Sequence, residues 1–172
     1  MLSIRSLLVP VDFSSCSNTA AAWAADLAAR FGAAVTLLHI VELPRGLDRA
    51  ALVNPGGAAD VAMLPIGDWA SDSGRKQLNR MARSLASRGV QIDLRVEEGA
   101  PVQTILSIAD ELQPDAIVMG THGRKGLAHA FMGSVAERVV RGATCPVITL
   151  KSDHAVEQPT EAEQQAPAEA AG

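Results

Sequence analysis

Ala116-Ile117-Val118-Met119-Gly120-Thr121-His122-Gly123-Arg124-Lys125-Gly126 leads through Leu127–Met132 to Gly133-Ser134-Val135, and so joins a short apolar run to the start of a helix. The apolar run, ended by glycine, reads as a buried strand. Gly120, Gly123, Gly126 and Gly133 lie within fifteen residues, more than a plain turn needs. Glycine lets the backbone take positive φ and approach a ligand closely, and consecutive N–H groups then form an anion-binding concavity. The helix from about Val135 to Arg141, closed by Gly142, adds its positive dipole end and free amides at Ser134. A phosphate chain is the natural guest. Ser134-Val135-Ala136-Glu137 also fits a capping box, which accounts for Ser134 without any ligand.

Working outward, four more strands are expected beside Asp115–Met119: Ser6–Val11, Ala34–Val41, Gln91–Val96, which alternates more, and Pro146–Leu150. Helical spacing separates them. Ala20, Trp23, Ala24, Leu27, Ala28 and Phe31 form one apolar stripe stopped by Gly32, with Trp23 read as core. Leu78, Met81, Ala82 and Leu85 form another with Gly89 just beyond, and Val102, Ile105, Leu106, Ala109 and Leu112 a third that starts at Pro101. Alternating apolar strands and helices imply right-handed crossovers and a single open five-stranded parallel sheet with helices on both faces, an α/β fold. Ligands of such sheets bind outside the carboxyl ends of the strands where strand order reverses. That directs attention to the residues after Val11, Val41 and Met119.

A chain of 172 residues is the length of one domain, here expected over residues 1–151. Its net charge of −4 and aromatic content of 3% argue against nucleic acid as a partner. Cys16 and Cys145 have no metal-ligand spacing and suit a reducing cytoplasm, and no apolar run approaches a membrane span or a signal-peptide core. Residues 44–70 carry four glycines and three prolines and are either a flap over the site or a disordered insertion. Residues 152–172, rich in Ala, Glu, Gln and Pro, are expected to be a disordered tail.

The spacing Gly120-x2-Gly123-x9-Gly133-Ser134 resembles the nucleotide signature of the universal stress protein (UspA-like) family. Leu7-Leu8-Val9-Pro10-Val11-Asp12-Phe13-Ser14, Leu38-His39-Ile40-Val41, Gly99-Ala100-Pro101 and Cys145-Pro146-Val147 agree with it. The resemblance covers about residues 4 to 150. It implies a Rossmann-like, adenine nucleotide alpha hydrolase-like sheet with strand order 3-2-1-4-5, and ATP as ligand, with Mg2+ or Mn2+ accompanying the nucleotide. By the same resemblance, Pro10 and Val11 wall the nucleotide, and Asp12 lies near ribose or triphosphate and helps hold the metal. Val41 contacts adenine, Met119 and Gly120 lie beneath ribose and phosphates, and Gly123, Gly133, Ser134 and Val135 wrap the phosphates. Arg124 adds electrostatic attraction. A homodimer through the Pro146–Leu150 edge strand and an unidentified protein partner are implied as well.

The residues themselves leave alternatives. Asp12 is equally a helix-start aspartate, Val41 a strand-end core residue, His122 a solvated loop residue, and His39 a satisfied core residue. No P-loop, G-x-G-x-x-G, H-E-x-x-H or G-x-S-x-G motif is present, and no spacing orients a base on Ser134. The leading expectation is therefore a cytoplasmic ATP-binding regulatory or stress-response protein without catalytic residues, hydrolysing ATP weakly at most. A slow nucleotide hydrolase on the same fold and an interaction module that binds no nucleotide are the alternatives.

Overall fold

A computed structural model describes residues 3–44, 46–55, 63–122 and 132–151. In chain order it contains β1 (Ser6–Pro10), α1 (Ser15–Phe31), β2 (Ala34–Val41), β3 (Leu52–Val53), β4 (Leu64–Pro65), α2 (Ile66–Leu85), a 3-10 turn (Ala86–Arg88), β5 (Gln91–Glu98), α3 (Pro101–Leu112), β6 (Ala116–Gly120), α4 (Ser134–Gly142) and β7 (Val147–Leu150). Among the described residues the main sheet has five parallel strands in the order β5-β2-β1-β6-β7. Counted without the β3–β4 hairpin, this is the expected 3-2-1-4-5. The order reverses between β1 and β6, which opens the sheet at their carboxyl ends.

Strand alternation sorts the side chains between two layers. Leu7, Val9, Val11, Val35, Leu37, Ala116 and Val118 face α1 and α2, whereas Leu8, Leu38, Ile117 and Met119 face α3 and α4. Edge strand β5 is covered on one side only. Ile92, Leu94 and Val96 join the first layer, and on the other side Arg95 bonds Glu97 Oε1 at 2.6 Å and Glu111 through both η nitrogens at 2.9 Å. Those bonds, to Glu111 foremost, raise the Arg95 pKa, and the guanidinium holds Glu111 below its ordinary value.

The stripe expected on α1 is displaced. Its buried residues are Cys16, Ser17, Ala20, Ala21, Ala24, Ala25 and Ala28, while Trp23 and Phe31 are 38% and 47% exposed. The helix lies so close to the sheet that its contact face admits only small side chains. A Cβ on Gly120 would stand 2.7 Å from Cys16 Cβ and 2.9 Å from the Cys16 carbonyl carbon. Gly32 does cap α1 in the left-handed region at φ 66°, as Gly89 caps the 3-10 turn at 67°. Gly142 differs from expectation: it is the last residue of α4, and a Cβ there would meet Leu106 Cδ1 at 2.8 Å. Its smallness serves packing of α4 on α3.

α2 begins earlier than its apolar spacing suggests, so residues 66–70 of the expected insertion are helical. The amides of Ile66 and Gly67 donate to the Ala51 and Arg49 carbonyls (2.8 and 3.1 Å), a main-chain cap supplied by a distant segment and therefore invisible in local sequence. Arg49 further bridges Asp68 (3.1 Å) and Glu98 (3.2 Å). Arg45, residues 56–62 and the tail 152–172 lie outside the described residues.

At the amino end of the sheet, Asp115 Oδ2 accepts from the Arg5 and Ser6 amides (2.7 and 3.0 Å) and so ties β6 to the entry of β1. These two amides hold its carboxyl below the usual carboxylate range. Because the folded value is depressed, the stabilisation is complete above the unfolded value of about 4 and vanishes as pH falls through the folded one. Asp115→Ala should thus lower the urea midpoint at neutral pH, with the gap from wild type closing in acid. At Gly120, substitution by Ala forces the start of α1 outward. It should cost about 1–3 kcal/mol by overpacking, read by urea denaturation.

Candidate functional site

The β1–α1 turn is built by local hydrogen bonds. Asp12 Oδ1 accepts from the Ser14 amide (3.1 Å) and Ser14 Oγ (2.6 Å), and Ser14 Oγ accepts in turn from the Ser17 amide (3.3 Å) as N-cap of α1. Between them Phe13 sits at φ 65°, a left-handed conformation costing a non-glycine residue about 1–2 kcal/mol. Its ring lies against the His39 imidazole with centroids 4.5 Å apart. His39 is buried, and its Nδ1 is 2.9 Å from the Val11 carbonyl oxygen. A carbonyl only accepts, so Nδ1 carries the hydrogen. The core reading of His39 holds, and its ring also contributes to a cavity wall.

That cavity, about 830 Å3, opens at the carboxyl ends of β1, β2 and β6. Pro10, Val11, Asp12, Val41, Met119, Gly120, Gly133, Ser134 and Val135 all line it. These are nine of the eleven positions expected from sequence; Gly123 and Arg124 lie outside the described residues. His122 lines the same cavity with Nδ1 3.0 Å from Thr121 Oγ1.

Two expectations change here. Ser134 is the first residue of α4, and the N-cap is Gly133, at φ −71° and ψ 152°, with no side-chain capping bond. The capping box does not form, because Ser134 is one residue too far into the helix to reach back. Nor do Gly120 and Gly133 take positive φ. They are small because backbone passes close by: the Gly133 amide donates to the Thr121 carbonyl at 2.7 Å, and a Cβ on Gly133 would approach that oxygen to 3.0 Å.

Sequence reasoning missed several wall residues. Ile40 is one. The Val41 carbonyl accepts from the Gly99 amide (3.1 Å) and the Leu38 carbonyl from the Val11 amide (2.8 Å). Since main-chain groups alternate sides along a parallel strand, those of Ile40 point beyond the end of β1 toward the cavity it lines. Trp69, Ser73 and Gln77 of α2, with Glu42, complete that side; they come from the segment whose helical start is hidden by Pro and Gly. Asp12 and Glu42 are the carboxylates in the wall. Among the described residues no group of three or more His, Cys, Asp or Glu side chains converges on a metal position. Also among the described residues, no helix is long and apolar enough to cross a membrane.

The sequence profile of the Universal stress protein family matches residues 3–151. Universal stress protein MJ0531 of Methanocaldococcus jannaschii is 32% identical over 149 residues, 86% of this chain and 82% of the relative. Mycobacterial relatives at 33% identity are longer, and the chain spans about half of them, the alignment covering 49% of their length. Among solved structures, UspA from Lactobacillus plantarum superposes with a TM-score of 0.70 at 22% identity, covering 87% of this chain and 99% of that one. A universal stress protein in complex with cAMP gives 0.62 at 24% identity, covering 88% and 100%. These two likenesses establish the α/β fold. The family match across nearly all of the described chain carries the further conclusion that this protein belongs to the universal stress protein family.

Proposed function

We propose that this protein binds an adenine nucleotide, ATP with its divalent ion, in the cavity at the carboxyl edge of the sheet, and acts as a cytoplasmic binding and regulatory protein. The observation that carries the reading is the convergence of Pro10, Val11, Asp12, Val41, Met119, Gly120, Gly133, Ser134 and Val135 on one cavity, although they come from four separate stretches of chain. The N-cap of α4 is a glycine, which brings no side chain of its own to the opening amides, so the helix start can serve phosphate oxygens, with Ser134 Oγ adding a donor. Main-chain groups of Ile40 suit the edge of a base. The bound neighbour named above, in complex with cAMP, supports an adenine nucleotide.

Asp12 and Glu42 in the wall are too few to hold a metal unaided. The donor set fits an ion arriving on triphosphate oxygens, with Asp12 as a protein carboxylate available to it. Bound so, the ion would screen phosphate charge beside Asp12.

Titration calorimetry with ATP and Mg2+ should show saturable heat. Ser134→Ala should weaken binding by about tenfold to a hundredfold, the loss of one hydrogen bond to a charged phosphate, and Gly133→Val should weaken it further. Folded wild-type protein giving only dilution heat would defeat the proposal, and phosphate release above background would replace a binder with an enzyme.

We also propose a homodimer through β7. Its inner edge pairs with β6: the Ile117 amide donates to the Pro146 carbonyl and the Thr121 amide to that of Leu150. Alternation therefore turns the main-chain groups of Val147 and Thr149 outward, where an open edge can pair with a second copy. Thr149→Pro removes an outward N–H and leaves the β6 ladder intact. Light scattering should show a wild-type dimer and a Thr149→Pro monomer; a monomeric wild type, or a dimeric variant, would refute the arrangement.

A further inference from the structure

The formal charge of this chain is strongly divided. All fifteen Lys and Arg precede residue 152, whereas five of the nineteen acids, Asp153, Glu157, Glu161, Glu163 and Glu169, follow it. Residues 1–151 thus sum to +1 (15 − 14) and residues 152–172 to −5. Within the first part, residues 73–92 hold Arg75, Lys76, Arg80, Arg83 and Arg88 and no acid.

That basic block forms the outer face of α2 and the 3-10 turn after it. Gly67, Gly74, Leu78 and Leu85 turn inward, and Arg75, Lys76, Arg80 and Arg83 are exposed. Lys76 pairs with Asp72 (2.7 Å) and Arg88 with Asp26 (2.6 Å). Among the described residues, Arg75, Arg80 and Arg83 have no acidic partner, although they sit on a protein with fourteen acids to draw on. Beside them, between α1 and α2, runs a groove of about 550 Å3. Phe13, Ala22, Met81 and Leu85 give it apolar walls, and Arg80 and Arg88 stand at it.

We propose that residues 152–172 of the same chain dock along this groove and the basic face of α2. The two surfaces match in charge and in grain. In the segment, glutamates alternate with small apolar residues, as in Ala155-Val156-Glu157 and Ala162-Glu163; the small residues suit a shallow apolar floor and the glutamates suit guanidinium forks on its rim. Reach is ample. β7 ends at Leu150, and from β7 to β2, below α2, is three strand spacings, about 15 Å, against a contour of about 70 Å for the segment. An effectively intramolecular contact of this kind needs only modest intrinsic affinity. The groove adjoins the cavity proposed for the nucleotide, because Gln77 lines both and the Phe13 ring of the groove contacts His39 of the cavity. Docking therefore braces the α2 wall of that cavity, independently of whether a nucleotide is bound.

The test uses the full chain with 15N labelling, a nitroxide placed through Glu169→Cys and Cys145→Ser, and relaxation measured on backbone amides. The expected result is loss of the Ala22, Arg80, Met81 and Ser84 signals at low ionic strength. They should return when salt near 1 M shortens the screening length to about 3 Å, and return equally in Arg75→Glu/Arg80→Glu/Arg83→Glu, whose changes are confined to exposed side chains. Unattenuated groove signals in the low-salt parent, or attenuation that survives charge reversal, overturn the proposal. Mixing nitroxide-bearing 14N chain with spin-free 15N chain separates the sources: attenuation there would mean a second copy supplies the segment, and overturn docking within one chain. If anionic phospholipid vesicles bind the α2 face without displacing the segment, that face belongs to a membrane and the proposal also falls.

Discussion

Close approach of α1 to the sheet governs the rest of this molecule. No side chain fits between Gly120 at the end of β6 and the backbone of Cys16 at the start of α1, and the helix continues with alanine at Ala20, Ala21, Ala24, Ala25 and Ala28 on its buried face. A helix held that tightly has little freedom of position. Its first turn must therefore begin right at the carboxyl edge, and the chain reaches it through a left-handed Phe13 rather than a longer loop. The strain is offset by Asp12, Ser14 and the His39 ring, which together fix the turn.

The cavity follows from that geometry. With β1 ending at Pro10 and His39 bonded to the Val11 carbonyl, β2 and β6 outrun their central neighbour, and their edges face each other across a gap. α4 closes the far side. Its N-cap residue, Gly133, sits against the Thr121 carbonyl, and glycine there is a matter of clearance. Gly120 and Gly133 thus act by letting segments touch, and among the described residues the positive-φ glycines lie elsewhere, at Gly32, Gly46, Gly89 and Gly99. The same distinction applies to Gly142 against Leu106.

Electrostatics organise the periphery. Asp115 joins the entry of β1 to β6 through two amides, Arg95 knits edge strand β5 to α3, and Arg49 fastens the β2–α2 connection to Asp68 and Glu98. Each of these contacts is partly exposed and so contributes modestly. Their role is to position elements whose burial has already been secured by the two apolar layers.

Much of this architecture is legible in the sequence. Five apolar strands separated by helical spacing point to the parallel α/β sheet, because its crossover helices bury the strands on both faces, and the glycine-spaced loop marks the edge at which the candidate site lies. Nine of the expected site positions converge on the cavity for that reason. What tertiary structure alone decided is which face of each element is used and who caps whom. Trp23 turned outward because close packing on the sheet selects alanine, whereas hydrophobicity alone ranks tryptophan first. Ile40 rather than Val41 turns its main chain to the cavity because of ladder register. α2 starts at Ile66 because carbonyls from Arg49 and Ala51, far from it in any local window, satisfy its first amides. Periodicity reports the pattern of burial along one element; contacts between elements, which set distance, register and caps, exist only once the chain has folded.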